Sequence, residues 1–310
     1  MHKNISIIVP IYNEESSINQ LYDEIIDSLK DITEIYEIIF VDDGSTDKSI
    51  SNINNLVSKD NNVILVQLNR NYGKSDALQE GFNIVKYDYV ITMDGDLQDD
   101  PKEIKNLINI LDDGWDCVSG WKKHRKDPLS KTIPSYFFNR FISIFSGLRI
   151  HDFNCGIKAY KKNVIKSLNI YGGLHRYIPL LLFNNGFKVT ELVVNHRPRE
   201  YGVTKYGKSR FLHGIFDFFT INFLKKYFNR PMYFFGTFGI LLSALGLGIN
   251  IYLTTLWFQG TYIGNRPLFF LGILLILVGI QSLSIGLIGE LIVNSARKKE
   301  IKIKKINSEK

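Results

Sequence analysis

Short apolar runs alternate with amphipathic stretches over the first two thirds of the chain, and two long, nearly uncharged runs fill the last third. Residues 5–10 form a β-branched run, and 15–29 repeat their apolar positions at helical spacing. Further short apolar runs at 37–41, 63–68, 89–93 and 116–119 predict strands, separated by helical patterns at 47–57, 74–85 and 101–111. Alternating elements of these lengths predict an α/β fold, a mainly parallel sheet with helices on both faces. The run at 89–93 is apolar throughout, as a strand buried on both sides must be. Residues 186–195 predict one more strand, and 126–147 read as less regular and rich in aromatics.

The tail obeys a different rule. Residues 231–257 and 267–293 are almost free of charge, and each exceeds the roughly 20 residues that cross a bilayer as a helix. Glu290 alone interrupts the second, near its end. Lys225, Lys226 and Arg230 precede the first span, and Arg297, Lys298, Lys299, Lys302, Lys304 and Lys305 follow the second. The intervening loop has one basic residue, so both ends are expected in the cytoplasm, with the protein multi-pass in the cell inner (plasma) membrane. Ahead of the spans, 207–229 mix Phe, Leu and Ile with Lys and Arg, which predicts a helix lying in the headgroup plane. Packing on the soluble domain is the other reading of that stretch. The apolar run at the N-terminus is too short for a signal peptide.

Composition adds little beyond this. The 310 residues are 45% hydrophobic, enough for one large domain or two. The mean hydropathy of −0.03 averages a polar front with a greasy tail. The net charge of +7 suits lipid headgroups and phosphates. Nucleic acid is excluded as a partner, because no helix-turn-helix, zinc finger or aromatic-plus-basic platform occurs. Cys117 and Cys155 lack metal-ligand spacing and read as reduced, structural thiols.

Chemistry gathers at the strand ends, where open α/β sheets bind ligands. The fourth strand runs into DGDLQDDP, bringing Asp94 and Asp96 together. Close carboxylates repel unless a cation lies between them, and hard oxygen ligands with open positions suit Mg²⁺ or Mn²⁺ carrying a substrate's phosphates. An acidic turn capping the helix after Pro101 is the plainer alternative. The first strand ends in Pro10, Tyr12, Asn13 and Glu14; the second in Asp42 and Asp43, before Ser45, Thr46 and Asp47, which also suit helix capping. Lys74 opens a helix whose N-terminus favours anions, unless it is merely solvated. Four polar strand ends on one rim describe a nucleotide pocket. No G-x-G-x-x-G motif is present, so that phosphate cradle is missing.

IVPIYNEE, VDDGSTD, GKSDAL and DGDLQDDP together resemble glycosyltransferase family 2 on a GT-A fold, Rossmann-like and mainly parallel. DFNCGIKAY, HRPREYGVTKYG and the two spans are similar, more narrowly, to polyprenyl-phosphate glycosyltransferases such as dolichol-phosphate mannose synthases and undecaprenyl-phosphate glucosyltransferases. The Q-x-x-R-W motif of processive synthases is missing. The resemblance implies that Pro10, Tyr12, Glu14 and Asp43 hold the nucleoside and that Lys74 belongs to the nucleotide-sugar site. It implies that Asp94 and Asp96 bind the metal, with Asp96 catalytic and Gln98 near the donor sugar or the metal. Asp152 matches the proposed catalytic base. Arg197, Arg199 and Lys205 match a basic loop contacting donor diphosphate and acceptor phosphate, with Arg125 and Arg140 as further acceptor-phosphate residues. Lys122, Lys123 and Lys126 read as solvated surface, and His151 and His196 as local hydrogen-bond partners.

The expected organisation is a GT-A domain at 1–206, a juxtamembrane amphipathic region at 207–229, two transmembrane helices within 230–295 and a basic cytoplasmic tail at 296–310. The expected activity is inverting transfer of a hexose from a UDP-glucose-type donor to polyprenyl (undecaprenyl) phosphate, in cell-envelope glycan biosynthesis. A GDP-mannose donor, a non-catalytic sugar-nucleotide-binding protein and a hydrolase using the acidic loop as nucleophile stand as alternatives. The partners are the nucleotide-diphosphate sugar, the polyprenyl phosphate and the bilayer, with self-association left open.

Overall fold

A computed structural model describes residues 3–123, 129–198, 210–227, 230–263 and 266–296. The chain divides into two units, the first ending at Phe219 and the second starting at Thr220.

The first unit opens β1 (Ile5–Ile11), α1 (Ile18–Leu29), β2 (Tyr36–Asp42), α2 (Ser49–Val57), β3 (Val63–Gln67), α3 (Lys74–Ile84) and β4 (Tyr89–Thr92). A 3₁₀ turn, Pro101–Glu103, then leads into α4 (Ile104–Asp112) and β5 (Cys117–Trp121). There follow α5 (Leu129–Ser146), β6 (Lys158–Lys161), α6 (Lys162–Ile165), a second 3₁₀ turn (Leu174–Tyr177), α7 (Ile178–Asn184), β7 (Val189–Val193) and α8 (Arg210–Tyr227), within which the division falls. The seven strands order as β3-β2-β1-β4-β6-β5-β7. All neighbours are parallel except β6, which runs antiparallel to both β4 and β5.

Strand alternation splits the core in two. Ile5, Ile7, Val9, Ile38, Phe40 and Ile91 pack with Ile18, Leu21 and Ile25 of α1 and Leu107 and Ile108 of α4. On the other face Gly81 of α3 lies so close to Ile8 and Val41 that a Cβ there would meet Ile8 Cγ2 at 2.5 Å. Helices thus cover both faces, as a parallel sheet requires.

Three local readings change. The predicted helix at 15–29 starts at Ile18, because 13–17 are tied to the neighbouring loop. The stretch at 126–147, read as irregular, is a continuous helix from Leu129. The strand β6 was not predicted at all; two of its four residues are lysines, which mask a buried strand.

The second unit contains α9 (Met232–Phe258) and α10 (Pro267–Ala296). Both helices are long and apolar enough to cross a membrane, and only 17% of each apolar window is buried within the protein, whereas a core helix of a soluble domain is mostly covered. They pack closely on small residues. A Cβ on Gly239 would reach Gly279 O at 2.6 Å, and one on Gly246 would reach Gly272 O at 2.5 Å. Such close backbone approach is how helices associate where lipid offers no hydrophobic driving force.

Candidate active site

Parallel strands deliver their carboxyl ends to one rim, and the chain spends considerable hydrogen bonding on fixing those loops. Asn13 adopts a left-handed backbone (φ 52°) between β1 and α1. Its N–H donates to Ser45 Oγ at 2.9 Å, and its Oδ1 accepts from Thr46 N at 2.8 Å. Glu14 N donates to Ser49 Oγ, and Asp47 accepts from Ser49 N and Glu15 N. Ser45 and Asp47 therefore stitch two loops together, the structural role the sequence left open for them. Gly44 (φ 72°) permits the turn, since a Cβ would lie 2.5 Å from the Arg70 carbonyl carbon.

These loops enclose a cavity of about 650 Å³ lined by Pro10, Tyr12, Glu14, Asp43, Lys74, Asp94 and Asp96, together with Gly172, Gly173, His175, Arg176 and Asp217. The first seven are sequence-predicted site residues, and the structure brings all of them to one space. Asp43 accepts from Tyr72 N at 2.7 Å and Gly73 N at 2.9 Å, which aligns the start of α3. Burial pushes the Asp43 carboxyl up, against the pull of those two amides. Lys74 is not solvated; its ammonium pairs with Asp94. Burial works to raise the Asp94 pKa, but Lys74, Lys122 and Lys158 outweigh it and hold the carboxyl below the ordinary range.

The acidic loop closes on itself. Leu97, buried and left-handed (φ 62°), turns the chain between Asp96 and Gln98, a costly conformation for a branched residue. Asp96 Oδ1 accepts from Gln98 N, and Asp99 Oδ2 accepts from Asp94 N at 3.1 Å. Lys122 holds the other Asp99 oxygen at 2.9 Å, with side chains 11% and 1% exposed. Lys122 is thus a buried ion-pair partner and not the surface lysine its sequence neighbourhood implied. Beneath the loop lies Gly156, whose Cβ would meet Asp99 Oδ2 at 2.4 Å and Asp94 Cγ at 2.6 Å. Lys158, also buried, donates to Cys155 O, and burial lowers its pKa.

Other predicted residues fall elsewhere. Asp152 is buried off the cavity wall, with Oδ1 accepting from Asn154 N at 3.1 Å. Gln98 Nε2 points to Arg197 O at 3.5 Å. Arg197 pairs with Glu24 at 2.7 Å and Asp100 at 3.0 Å, so its charge is committed away from the cavity. Arg140 is exposed on α5 and lies off the wall. Arg125, Arg199 and Lys205 lie outside the described residues. His151 pairs with Glu191, in keeping with its local role. Sequence reasoning missed His175, Arg176 and Asp217, which reach the cavity from distant segments, and Asp99, whose place in the acidic run was its only signal.

Among the described residues no three His, Cys, Asp or Glu side chains gather as a metal cage. Asp94 and Asp96 on one wall nevertheless fit a hard divalent cation that draws its remaining ligands from phosphate and water. The ammonium of Lys74 lies against the first of them, Asp94.

The chain is similar to known proteins over most of its length. The model of glycosyl transferase family 2 matches residues 6–168. A dodecaprenyl-phosphate galacturonate synthase of Rhizobium johnstonii is 36% identical over 294 residues, spanning 93% of this chain and 87% of its own. An undecaprenyl-phosphate 4-deoxy-4-formamido-L-arabinose transferase of Yersinia pestis is 31% identical over 293 residues, spanning 94% and 88%. Among solved structures, glucosyl-3-phosphoglycerate synthase of Mycobacterium tuberculosis superposes with a TM-score of 0.55 at 19% identity, covering 70% of this chain and 79% of that one. A mannosyltransferase of Pyrobaculum calidifontis, solved with GDP-Man and Mn²⁺, gives 0.51 at 16% identity, covering 96% and 77%. At these identities the structural likeness speaks for the GT-A fold alone.

Proposed function

Because the chain belongs to glycosyl transferase family 2, we propose that it transfers a hexose from a nucleoside-diphosphate sugar, UDP-linked, to polyprenyl phosphate. Both relatives named above carry a polyprenyl phosphate in their names, and each is matched over more than nine tenths of this chain. The observation that carries the reading is convergence: residues from four separate family motifs, at Tyr12, Asp43, Lys74 and Asp94, line one cavity.

The chemistry follows from the groups present. Pro10, Tyr12, Glu14 and Asp43 bound the part of the cavity suited to a nucleoside. Asp94 and Asp96 would hold Mg²⁺ or Mn²⁺, which would supply positive charge to neutralise the leaving diphosphate. Asp94 stays ionised throughout the physiological range, since nearby cations depress its pKa. The lipid phosphate is already an anion, with a second pKa of roughly 6. Its oxygen attacks the anomeric carbon as the bond to the diphosphate breaks, inverting the centre without a strong base. Asp152, buried behind the wall, acts in this scheme by positioning. The two apolar helices anchor the enzyme in the inner membrane, with the catalytic unit on the cytoplasmic side where both nucleotide sugars and lipid headgroups are available.

The test is transfer of labelled sugar by purified protein to undecaprenyl phosphate, across a panel of UDP- and GDP-sugars with EDTA controls. Asp96→Asn is expected to abolish transfer, while Asp152→Asn leaves UDP binding intact. Full activity in EDTA, or release of free sugar in place of lipid-linked product, would overturn the reading.

A further inference from the structure

One wall of the cavity comes from a stretch that no family motif discussed above includes, residues 172–176. Its position is built. Ser75, fully buried one residue after Lys74, accepts from His175 N at 3.0 Å and hydrogen-bonds His175 Nδ1 at 2.9 Å. Gln79 Oε1 accepts from Ile170 N at 2.8 Å, a second tie to α3. Gly173 has no side chain where one would collide with the Asp217 carboxylate, a Cβ lying 2.1 Å from Oδ2. Arg176 is therefore carried on a segment clamped to the same helix that presents Lys74.

The charge inventory of the cavity is lopsided. Its wall holds five carboxylates, Glu14, Asp43, Asp94, Asp96 and Asp217, against two permanent cations, Lys74 and Arg176. Lys74 is paired with Asp94. Burial lowers the His175 pKa well below the ordinary value, so the imidazole is neutral and adds no positive charge. Among the described residues the Arg176 side chain has no carboxylate partner, and its buried Nε has no hydrogen-bond acceptor. A guanidinium offers five donors in a planar fork that matches phosphate oxygens.

We propose that Arg176 is a binding residue for a substrate phosphate in this cavity, its buried Nε and free guanidinium N–H groups taking phosphate oxygens. The inference rests on the transferase reading for the identity of the phosphate, which the donor's diphosphate and the polyprenyl phosphate could each supply.

Full-length protein in lipid nanodiscs separates the sources. UDP affinity with Mn²⁺ is measured by titration, and KM for undecaprenyl phosphate by transfer assay, for wild type, Arg176→Gln and Arg176→Lys. Loss of charge-assisted hydrogen bonds is expected to weaken one of the two by about 10- to 150-fold in the Gln variant. The Lys variant, which keeps the charge without the fork, should recover part of it. A weaker UDP Kd assigns the donor diphosphate; a raised KM with unchanged UDP binding assigns the acceptor. Should Arg176→Gln melt early, the Lys variant alone carries the comparison. Both constants within twofold of wild type in a folded variant overturn the proposal while leaving the transferase reading standing. Arg176-dependent UDP binding without any lipid-linked product would do the reverse.

Discussion

Lys122 offers the sharpest test of how the acidic loop is held. Its ammonium lies 2.9 Å from Asp99, with both side chains nearly covered. Lys122→Met keeps much of the alkyl stem, so little packing is lost. What remains is a buried carboxylate with no cation beside it, and breaking one side of a buried pair costs about 3–5 kcal/mol. For a unit of this size each kcal/mol shifts the melting temperature by about 2–4 °C, which sets an expected drop of about 6–20 °C. The double variant Asp99→Asn/Lys122→Met leaves no charge uncompensated, and the amide oxygen that replaces the carboxylate can still accept from Asp94 N. It should regain at least half of the loss. Lys30→Met is the control: that lysine pairs with Asp27 at 2.7 Å with side chains 68% and 72% exposed, and such a solvent-screened pair contributes little to stability. Tryptophan fluorescence during thermal unfolding in detergent reads these variants and Asp99→Asn alone. A single Lys122 variant melting with the Lys30 control, or a double variant falling by the sum of its singles, would refute the reasoning.

Gly156→Ala forces a Cβ into the Asp94 and Asp99 carboxylates, and overpacking of about 1–3 kcal/mol should lower both melting temperature and transfer rate; a rate unchanged at limiting Mn²⁺ would contradict it. Asp94 has a depressed folded pKa, so its contribution is present above the unfolded value and lost as pH falls through the folded one. The melting difference between wild type and Asp94→Asn should therefore be level from about pH 5 to about pH 9 and shrink only below about pH 4, and a slope near neutrality would count against the assignment. Burial pushes the thiols of Cys117 and Cys155 up to about 12. Both should resist iodoacetamide at about pH 8 in the native protein and react on unfolding; native labelling would show that the core around β5 opens.

How much of this was legible in the sequence depended on whether a signal was local. Most strands could be read because a strand covered on both faces must be apolar along its length, as Ile38, Ile39, Phe40 and Val41 are. β6 escaped because Lys158 is buried by compensation, its ammonium donating to Cys155 O, and hydropathy cannot register a compensated charge. The site residues found were those on strand ends with recognisable spacing. Arg176 was invisible, since its place is fixed by a clamp between residues 75 and 175 that leaves no local periodicity. Arg197 was read as a phosphate contact from its match to a family loop, and its partners Glu24 and Asp100 are distant in sequence. Lys122 was misjudged for the same reason: Asp99 lies 23 positions upstream.

The reversed direction of β6 has a consequence for how such a fold can diversify. Its first residue, Lys158, pairs with Thr92 at the far end of β4, so the segment before it, through Gly156, is delivered beneath the acidic loop as an incoming strand lead. The loops that bring Tyr12, Asp43, Lys74 and Asp94 to the cavity each depart from a strand. Two families of loops thus meet at the carboxyl end of β4, and the incoming one backs the acidic loop from below. Changes between α5 and β6 can therefore shift the acidic loop that carries Asp94 without disturbing the crossovers that carry Asp43 and Lys74.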